Sequence, residues 1–195
     1  MKRVGLYFGT FNPIHVGHLI IANHLASHSG LDEVWFVVSP HNPLKDKNTL
    51  LEDHHRLAMV KLAVEDNAKL KASSIEFDLP KPSYTVLTLQ ALREKYPSYE
   101  FSLIMGEDNL RTLHKWRNYE FILENFDIWV YPRIKTGLET DTVDFSKMPR
   151  VKFCNSPAMN ISSTLIRESV KNRKDVRYLL TEPVWKYVDE MNFYK

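Results

Sequence analysis

The sequence predicts an α/β fold in which one doubly wound parallel sheet carries helices on both faces. Short apolar, β-rich runs alternate with longer segments whose apolar residues recur every three or four positions, and this alternation is typical of βαβ units. At 195 residues, against about 150 residues for an average domain, the chain favours a single Rossmann-like domain over residues 1–195. No linker interrupts the pattern, so a C-terminal helical segment, about residues 161–195, is expected to pack on that domain.

The boundaries of the predicted elements follow from these two periodicities. Pro40–Thr49 and Pro132–Pro149 are polar, contain proline and exceed the usual connection of about 4–6 residues, which is common for functional loops. Strands are predicted at Val4–Phe8, Val34–Ser39, Leu70–Ile75, Phe101–Met105, Ile128–Tyr131 and Val151–Phe153. Helices are predicted at His15–His28, Glu52–Glu65, Ser83–Lys95 and Pro183–Met191, the last with a proline in its first turn.

The composition argues against large polyanionic partners. The 26 basic and 24 acidic residues leave a net charge of +2, without the concentrated excess that nucleic acids or anionic membranes require. The longest apolar runs fall far short of the about 18 residues of a membrane helix. The single cysteine, Cys154, cannot form an intramolecular disulfide, which predicts a reducing cytoplasm. We therefore expect small-molecule partners, no nucleic acid and no membrane.

The first predicted strand runs directly into the segment Gly9–His18, which has the sequence GTFNPIHVGH. In a doubly wound sheet, ligands bind where the carboxyl end of a strand meets the start of a helix. Gly9 allows close approach to a ligand, Pro13 stiffens the loop, and unpaired N–H groups of the following helix favour phosphate. The pattern is neither GxGxxG nor GxxxxGK[ST], because the glycines of the first 18 residues lie at positions 5, 9 and 17 and no lysine directly follows Gly17.

His15 and His18 lie three residues apart at the start of this helix, so both imidazoles face the same side and converge on one anion. The alternatives are two ordinary, partly buried histidines or a metal pair that lacks a third ligand. The helix N-terminus disfavours an imidazolium, whereas a bound polyphosphate favours it. The composition alone gives these alternatives about equal weight.

With Gly9, Phe11, Pro13, His15, Gly17 and His18 in place, the segment resembles the GxFxPxHxGH signature of the nucleotidyltransferase superfamily. A second segment, Ile161–Arg167, resembles the ISSTxIR element of the same superfamily, although alone it indicates only a helix N-cap and a solvated arginine. The resemblance implies catalytic roles for His15, His18 and Arg167. It implies ATP binding by Gly9, Thr10, Phe11, His18, Gly106, Asp108, Ser162, Ser163 and Arg167.

Three further segments between these motifs resemble the bacterial nicotinate-nucleotide adenylyltransferase family. They are Pro82–Thr85 with Thr88 and Leu89, Gly106–Asp108, and Trp116. The resemblance runs from Val4 to Tyr187. It implies that Trp116 stacks on a pyridine ring and that Asp108 binds the ATP ribose or organises the site. The alternatives are that Trp116 is a core tryptophan and that Asp108 is only a helix-start aspartate. It implies nicotinate-nucleotide binding by Thr10, Lys45, Ser83, Tyr84, Thr85, Trp116 and Arg117. The chain departs from the family's Pro-Pro-His-Lys loop, because His41–Lys45 reads HNPLK, which leaves the role of His41 open.

The resemblance implies adenylyl transfer from ATP to nicotinate mononucleotide, with Mg²⁺ carried by the ATP phosphates and no metal ligands from protein side chains. Transfer to phosphopantetheine, transfer to nicotinamide mononucleotide, and ATP sensing without turnover are the competing functions. The oligomeric state stays open, with a homo-oligomer among the outcomes.

Overall fold

The computed structural model describes residues 1–40, 50–133 and 148–195. Within these ranges, parallel strands form a six-stranded sheet in the order β3-β2-β1-β4-β5-β6. The strands are β1 Lys2–Gly9, β2 Glu33–Val38, β3 Leu70–Ser73, β4 Tyr99–Gly106, β5 Ile128–Tyr131 and β6 Val151–Phe153. The α-helices are α1 Val16–His28, α2 Asp53–Val64, α3 Thr85–Lys95, α4 Glu107–Arg111, α5 Tyr119–Asn125, α6 Ser163–Lys171 and α7 Glu182–Glu190. Short 3₁₀ helices occur at Ile75–Asp78, Leu113–Lys115 and Arg177–Leu179.

Strand β2 shows how the sheet is covered on both faces. All six of its residues are buried, and successive side chains point to opposite faces. Phe36 and Val38 pack in a core with α1, α2, α6 and α7. Trp35 and Val37 pack in a second core with α3, α4 and α5. The predicted α/β class, with one parallel sheet between two helical layers, is confirmed.

The chain leaves the sheet in opposite directions after its two central strands. After β1 it enters α1 on one face, and after the neighbouring β4 it enters α4 on the other. Such a divergence opens a crevice at the carboxyl edge of the sheet, where α/β folds bind their ligands. The fold therefore places the site between the ends of β1 and β4.

The C-terminal helices pack on the same core as α1 and α2. Val184 and Val188 of α7 are buried in the cluster that contains Met59 and Val60 of α2, and α7 lies directly against α2. Pro183 occupies the first turn of α7, as predicted. No helix in the described part of the chain combines the length and apolarity needed to cross a membrane.

Several predicted strand and helix ends differ from the structure by one or two residues. The strand predicted to reach Ile75 ends at Ser73, because Ile75 begins a 3₁₀ helix. The strand predicted to end at Ser39 ends at Val38, although the Ser39 N–H still donates to the Gly9 carbonyl at 2.9 Å. The helix predicted from Ser83 begins two residues later, since Tyr84 has an extended backbone.

The first helix begins at Val16, with His15 as its extended N-cap rather than its first residue. Helices α4 and α5 are absent from the prediction. They have only five and seven residues, so neither completes the two turns that a helical periodicity needs to stand out.

Candidate active site

A cavity of about 260 Å³ opens at the carboxyl edge of the sheet, beside the start of α1. Its walls come from the end of β1, the N-termini of α1 and α6, and the residues that follow β5. Two helix N-termini therefore face one space, which favours an anion through their unpaired N–H groups and positive partial charges. The lining residues include Tyr7, Thr10, Asn12, His15, Gly17, His18, Tyr131, Arg133, Met159, Ser162, Ser163, Thr164 and Arg167.

His15 and His18 stack face to face at this helix start, as their spacing predicted. Their ring centroids lie 3.7 Å apart with an interplanar angle of 23°. The backbone N–H of His15 donates to Nδ1 of His18 over 3.3 Å, so the proton of a neutral His18 ring lies on Nε2. His18 is thus prepared to donate a hydrogen bond from Nε2 while its other nitrogen caps the helix.

His15 is held in its neutral form. The residue is 5% exposed, and desolvation, helped by the positive charge of Arg133, lowers its pKa to about 4. The direction agrees with the prediction for a site without ligand, but the first cause is burial rather than the helix dipole. Since a polyphosphate would bring several negative charges, its binding would raise this pKa again.

We expect His15 to make the folded protein sensitive to acid. Between pH 6.5 and about 4 the unfolded chain binds a proton that folded His15 does not, so stability falls as the pH falls, by about 3 kcal/mol in total. His15→Asn keeps a good N-cap residue and should flatten this part of the profile. Urea unfolding at several pH values measures it, with the exposed His28→Asn on the same helix as the control. Parallel profiles for His15→Asn and the native protein would contradict the assignment.

Carbonyl groups of the loop after β1 are held by donors from distant elements. Arg167 Nη1 donates to the Asn12 carbonyl at 2.9 Å, and Ser163 Oγ donates to the Pro13 carbonyl at 2.8 Å. Arg56 Nη1 donates to the Thr10 carbonyl at 2.7 Å. These contacts fix the first motif to both α2 and α6.

Arg56 is a buried residue beside the site whose contacts the sequence did not reveal. Its side chain is fully buried, and each of its five N–H groups has an acceptor. Besides Thr10, the guanidinium reaches the carbonyls of Ser39, Pro40 and Leu51 and the carboxylate of Asp53, at 2.5 to 3.0 Å. One side chain thus joins the segments that follow β1 and β2 and precede α2. Its helical spacing resembles that of a surface arginine, so only the contacts reveal the role.

The second motif forms the helix start that its sequence predicted. Ser162 is the N-cap of α6, and its Oγ accepts from the Leu165 N–H at 3.1 Å. Ser162, Ser163 and Arg167 all line the cavity. Arg167 is not simply a solvated arginine, because Nη1 binds Asn12 and Nη2 donates to Thr164 Oγ1 at 3.3 Å.

Gly9 and Phe11, both predicted to bind ATP, are not among the residues that line the cavity. Phe11 is 2% exposed and packs edge-on against Phe36 and His18. A Cβ at position 9 would lie 2.9 Å from the Phe11 ring, so glycine is needed here to admit the phenylalanine. Gly9 thus makes room for the Phe11 ring, and the Phe11 ring packs against His18.

The segment after β4 brings Asp108 next to Arg133, a residue of the cavity wall. Asp108 is exposed in the first turn of α4, and its carboxylate lies 3.6 Å from the Arg133 guanidinium. A Cβ at Gly106 would displace the exposed Asp108 carboxylate, so glycine leaves room for it. Arg133 lines the cavity and was missed by the sequence analysis. Its place just after the carboxyl end of β5 is the signal that could have revealed it.

Four of the predicted acceptor residues, Tyr84, Thr85, Trp116 and Arg117, lie on the other face of the sheet, whereas Thr10 lines the cavity. Tyr84 and Trp116 pack against the core of α3, α4 and α5, and the Arg117 guanidinium lies 4.9 Å from the centre of the Tyr84 ring. Thr85 is the first residue of α3 and Tyr84 its N-cap. Lys45 and His41 lie outside the described residues.

The buried carboxyl group of Glu76 lies against α3, next to these residues. Glu76 is 1% exposed and accepts a hydrogen bond from Thr88 Oγ1 at 2.7 Å. Burial raises its pKa, and the hydrogen bond from Thr88 opposes this shift. Glu76 therefore joins the 3₁₀ helix Ile75–Asp78 to α3.

Comparisons with known proteins identify relatives of this chain. Residues 6–169 match the model of the cytidylyltransferase-like family. A "probable nicotinate-nucleotide adenylyltransferase" of Flavobacterium johnsoniae is 61% identical over 193 residues, which cover 99% of each chain. This chain belongs to the nicotinate-nucleotide adenylyltransferase family. A protein of the same description from Flavobacterium psychrophilum is also 61% identical, again over 99% of each chain.

The fold of the family is also found in a solved structure. The nicotinic acid mononucleotide adenylyltransferase of Plasmodium falciparum, complexed with NaAD, superposes with a TM-score of 0.82 at 20% identity, over 100% of this chain and 98% of that one. At this identity the likeness concerns the fold, which is shared over the whole chain.

Proposed function

We infer that this protein transfers the adenylyl group of ATP to nicotinate mononucleotide, which yields nicotinate adenine dinucleotide and pyrophosphate in NAD biosynthesis. The observation that carries the inference is full-length similarity to this family, combined with a stacked His15–His18 pair at a two-helix anion site. The protein is therefore assigned as a nucleotidyltransferase.

The cavity between α1 and α6 is proposed as the triphosphate site. Arg133 and Arg167 line it and bring two full positive charges, and the two helix starts add N–H donors. His18 adds an Nε2–H donor. Arg167 retains N–H groups beyond its two hydrogen bonds, so it can bind the loop and a phosphate together. Asp108 is proposed at the ATP ribose, with Arg133 holding it.

For this reaction the protein needs to position the substrates and to stabilise negative charge, and it needs no nucleophilic side chain. A phosphate oxygen of nicotinate mononucleotide attacks the α-phosphorus of ATP, and the bond to the bridging oxygen of pyrophosphate breaks. Negative charge grows on the α-phosphate oxygens and on the leaving group, where His18 and the arginines offset it. Mg²⁺ is proposed to enter as part of the MgATP substrate.

The element around α3 is proposed to bind the acceptor. Trp116 offers an aromatic face for the pyridine ring, and the first turn of α3 leaves N–H groups unpaired at Thr85 and Val86. A carboxylate accepts hydrogen bonds from two such donors. The amide of nicotinamide turns an NH₂ group toward one of them, which leaves donor facing donor.

A comparison of acceptors tests the function. Purified protein is incubated with MgATP and nicotinate mononucleotide, nicotinamide mononucleotide or phosphopantetheine, and pyrophosphate release is measured. Release with nicotinate mononucleotide alone, or with it preferred, supports the proposal. Preference for phosphopantetheine would reassign the substrate, and ATP binding without release under any acceptor would indicate a sensor.

We expect kcat/KM to favour nicotinate mononucleotide over its amide by at least about 5–150-fold, the ratio that one mismatched hydrogen bond of roughly 1–3 kcal/mol produces. If backbone N–H groups select the acceptor, Thr85→Ala should keep most of this preference. Trp116→Ala should weaken the binding of both acceptors to the same extent, because it removes only ring stacking. Steady-state kinetics with the two acceptors measures the ratios.

Arg117 provides the alternative to backbone selection, because its guanidinium lies over Tyr84. Collapse of the preference in Arg117→Ala, with Lys115→Ala as the neighbouring control, would assign the selection to a side chain. Equal use of both acceptors by the native protein would contradict the proposed substrate.

A further inference from the structure

The C-terminal end of the described chain reaches the loop after β1. The Tyr194 hydroxyl donates to Oδ1 of Asn12 at 2.8 Å, across 182 sequence positions. Tyr194 lies beyond residue 169, where the match to the cytidylyltransferase-like family ends. The contact therefore joins a motif inside the match to this broad family to a segment outside it.

Asn12 is a central member of the site. It is 3% exposed, lines the cavity, and its carbonyl accepts from Arg167 at 2.9 Å. Its Oδ1 accepts from the Leu51 N–H at 3.3 Å as well as from Tyr194. Leu51 and Tyr194 thus fix the side-chain oxygen of Asn12, and the backbone carbonyl of Asn12 binds Arg167.

The surroundings of Tyr194 keep its hydroxyl protonated. Burial raises its pKa, and the nearby positive charges of Arg167 and Arg56 oppose this shift without cancelling it. The phenol is therefore a hydrogen-bond donor throughout the neutral range. Both arginines that electrostatically influence it also bind the loop after β1.

We propose that Tyr194 is a positioning residue of the nucleotide site, which orients Asn12 and through it the loop after β1 and Arg167. The proposal rests on the proposed use of this cavity for the ATP phosphates. Without the hydroxyl, Oδ1 of Asn12 loses the shorter of its two hydrogen bonds, and the side chain is held less firmly. The Asn12 carbonyl then holds Arg167 less firmly against the phosphates.

Tyr194→Phe tests this by removing a single oxygen atom. We expect the KM for ATP and the inhibition constant of pyrophosphate to rise together by about 3–10-fold, the scale of one lost hydrogen bond. The KM for the acceptor should stay within about twofold, because α3 and Trp116 lie on the other face of the sheet. A general loss of structure would move both KM values. Tyr178→Phe, at an 87% exposed tyrosine in the same C-terminal segment, is the matched control and should change neither.

A double-mutant cycle with Asn12→Leu separates action through Asn12 from a merely structural role. Leucine has a similar size but no acceptor, so the double variant should bind ATP no more weakly than Asn12→Leu alone. Additive losses, or a Tyr194→Phe protein with native ATP affinity, would overturn the proposal. Calorimetry measures the ATP affinity of all four proteins in the cycle. This measurement decides the role of Tyr194 even if the native protein releases no pyrophosphate with nicotinate mononucleotide.

Discussion

We expect His18→Ala to lower kcat by about 10²–10³-fold, the loss that follows when one preorganised donor is removed from a transition state. The Nε2–H of His18 is that donor, since Nδ1 accepts from the His15 backbone. Steady-state pyrophosphate release measures the loss. His28→Ala, at an exposed position of the same helix, is the control and should stay close to native.

His18→Ala also removes a helix cap, so a second variant is needed to separate catalysis from stability. Glutamate at the same position restores the capping-box acceptor for the His15 N–H but has no proton to donate and repels phosphate. His18→Glu should therefore keep near-native thermal stability and still lose at least as much activity as His18→Ala. An active His18→Glu protein would remove His18 from the chemistry.

The largest loss of stability is expected at Arg56. Arg56→Met leaves four carbonyl groups and the Asp53 carboxylate without their shared partner. Breaking such a buried charged network costs about 3–5 kcal/mol. Arg56→Lys keeps the charge but offers three donors for five acceptors, so its stability should fall between Arg56→Met and the native protein. Urea unfolding measures both.

Lys61→Met is the matched control for Arg56, because Lys61 lies on the same helix and is exposed. It should change the free energy of unfolding by less than about 0.5 kcal/mol. A similar effect at positions 56 and 61 would mean that the buried network contributes little. Full stability of Arg56→Lys would mean that charge matters and the five-donor geometry does not.

Sequence periodicity predicted the sheet well because buried strands and amphipathic helices have strong repeats. It failed where an element was too short, as for α4 and α5, or where a turn competed, as at Ile75. In the site, local spacing predicted that His15 and His18 share one side of a helix start and that Ser162 caps a helix, because both arrangements depend on neighbours within one turn of helix. Arg56 and Tyr194 depend on partners far along the chain, and local spacing carries no signal for such contacts.

The contacts of the loop after β1 also bear on how the chain is synthesised. Ser163, Arg167 and Tyr194 bind residues 12 and 13 across 150, 155 and 182 positions. On the ribosome, where about 5–20 residues are added each second, the motif near the N-terminus emerges many seconds before these partners. Its carbonyl groups must remain hydrated until the C-terminal helices dock. The segment that is translated early thus gains these contacts late, and nascent chains that stop before α6 lack part of the cavity wall.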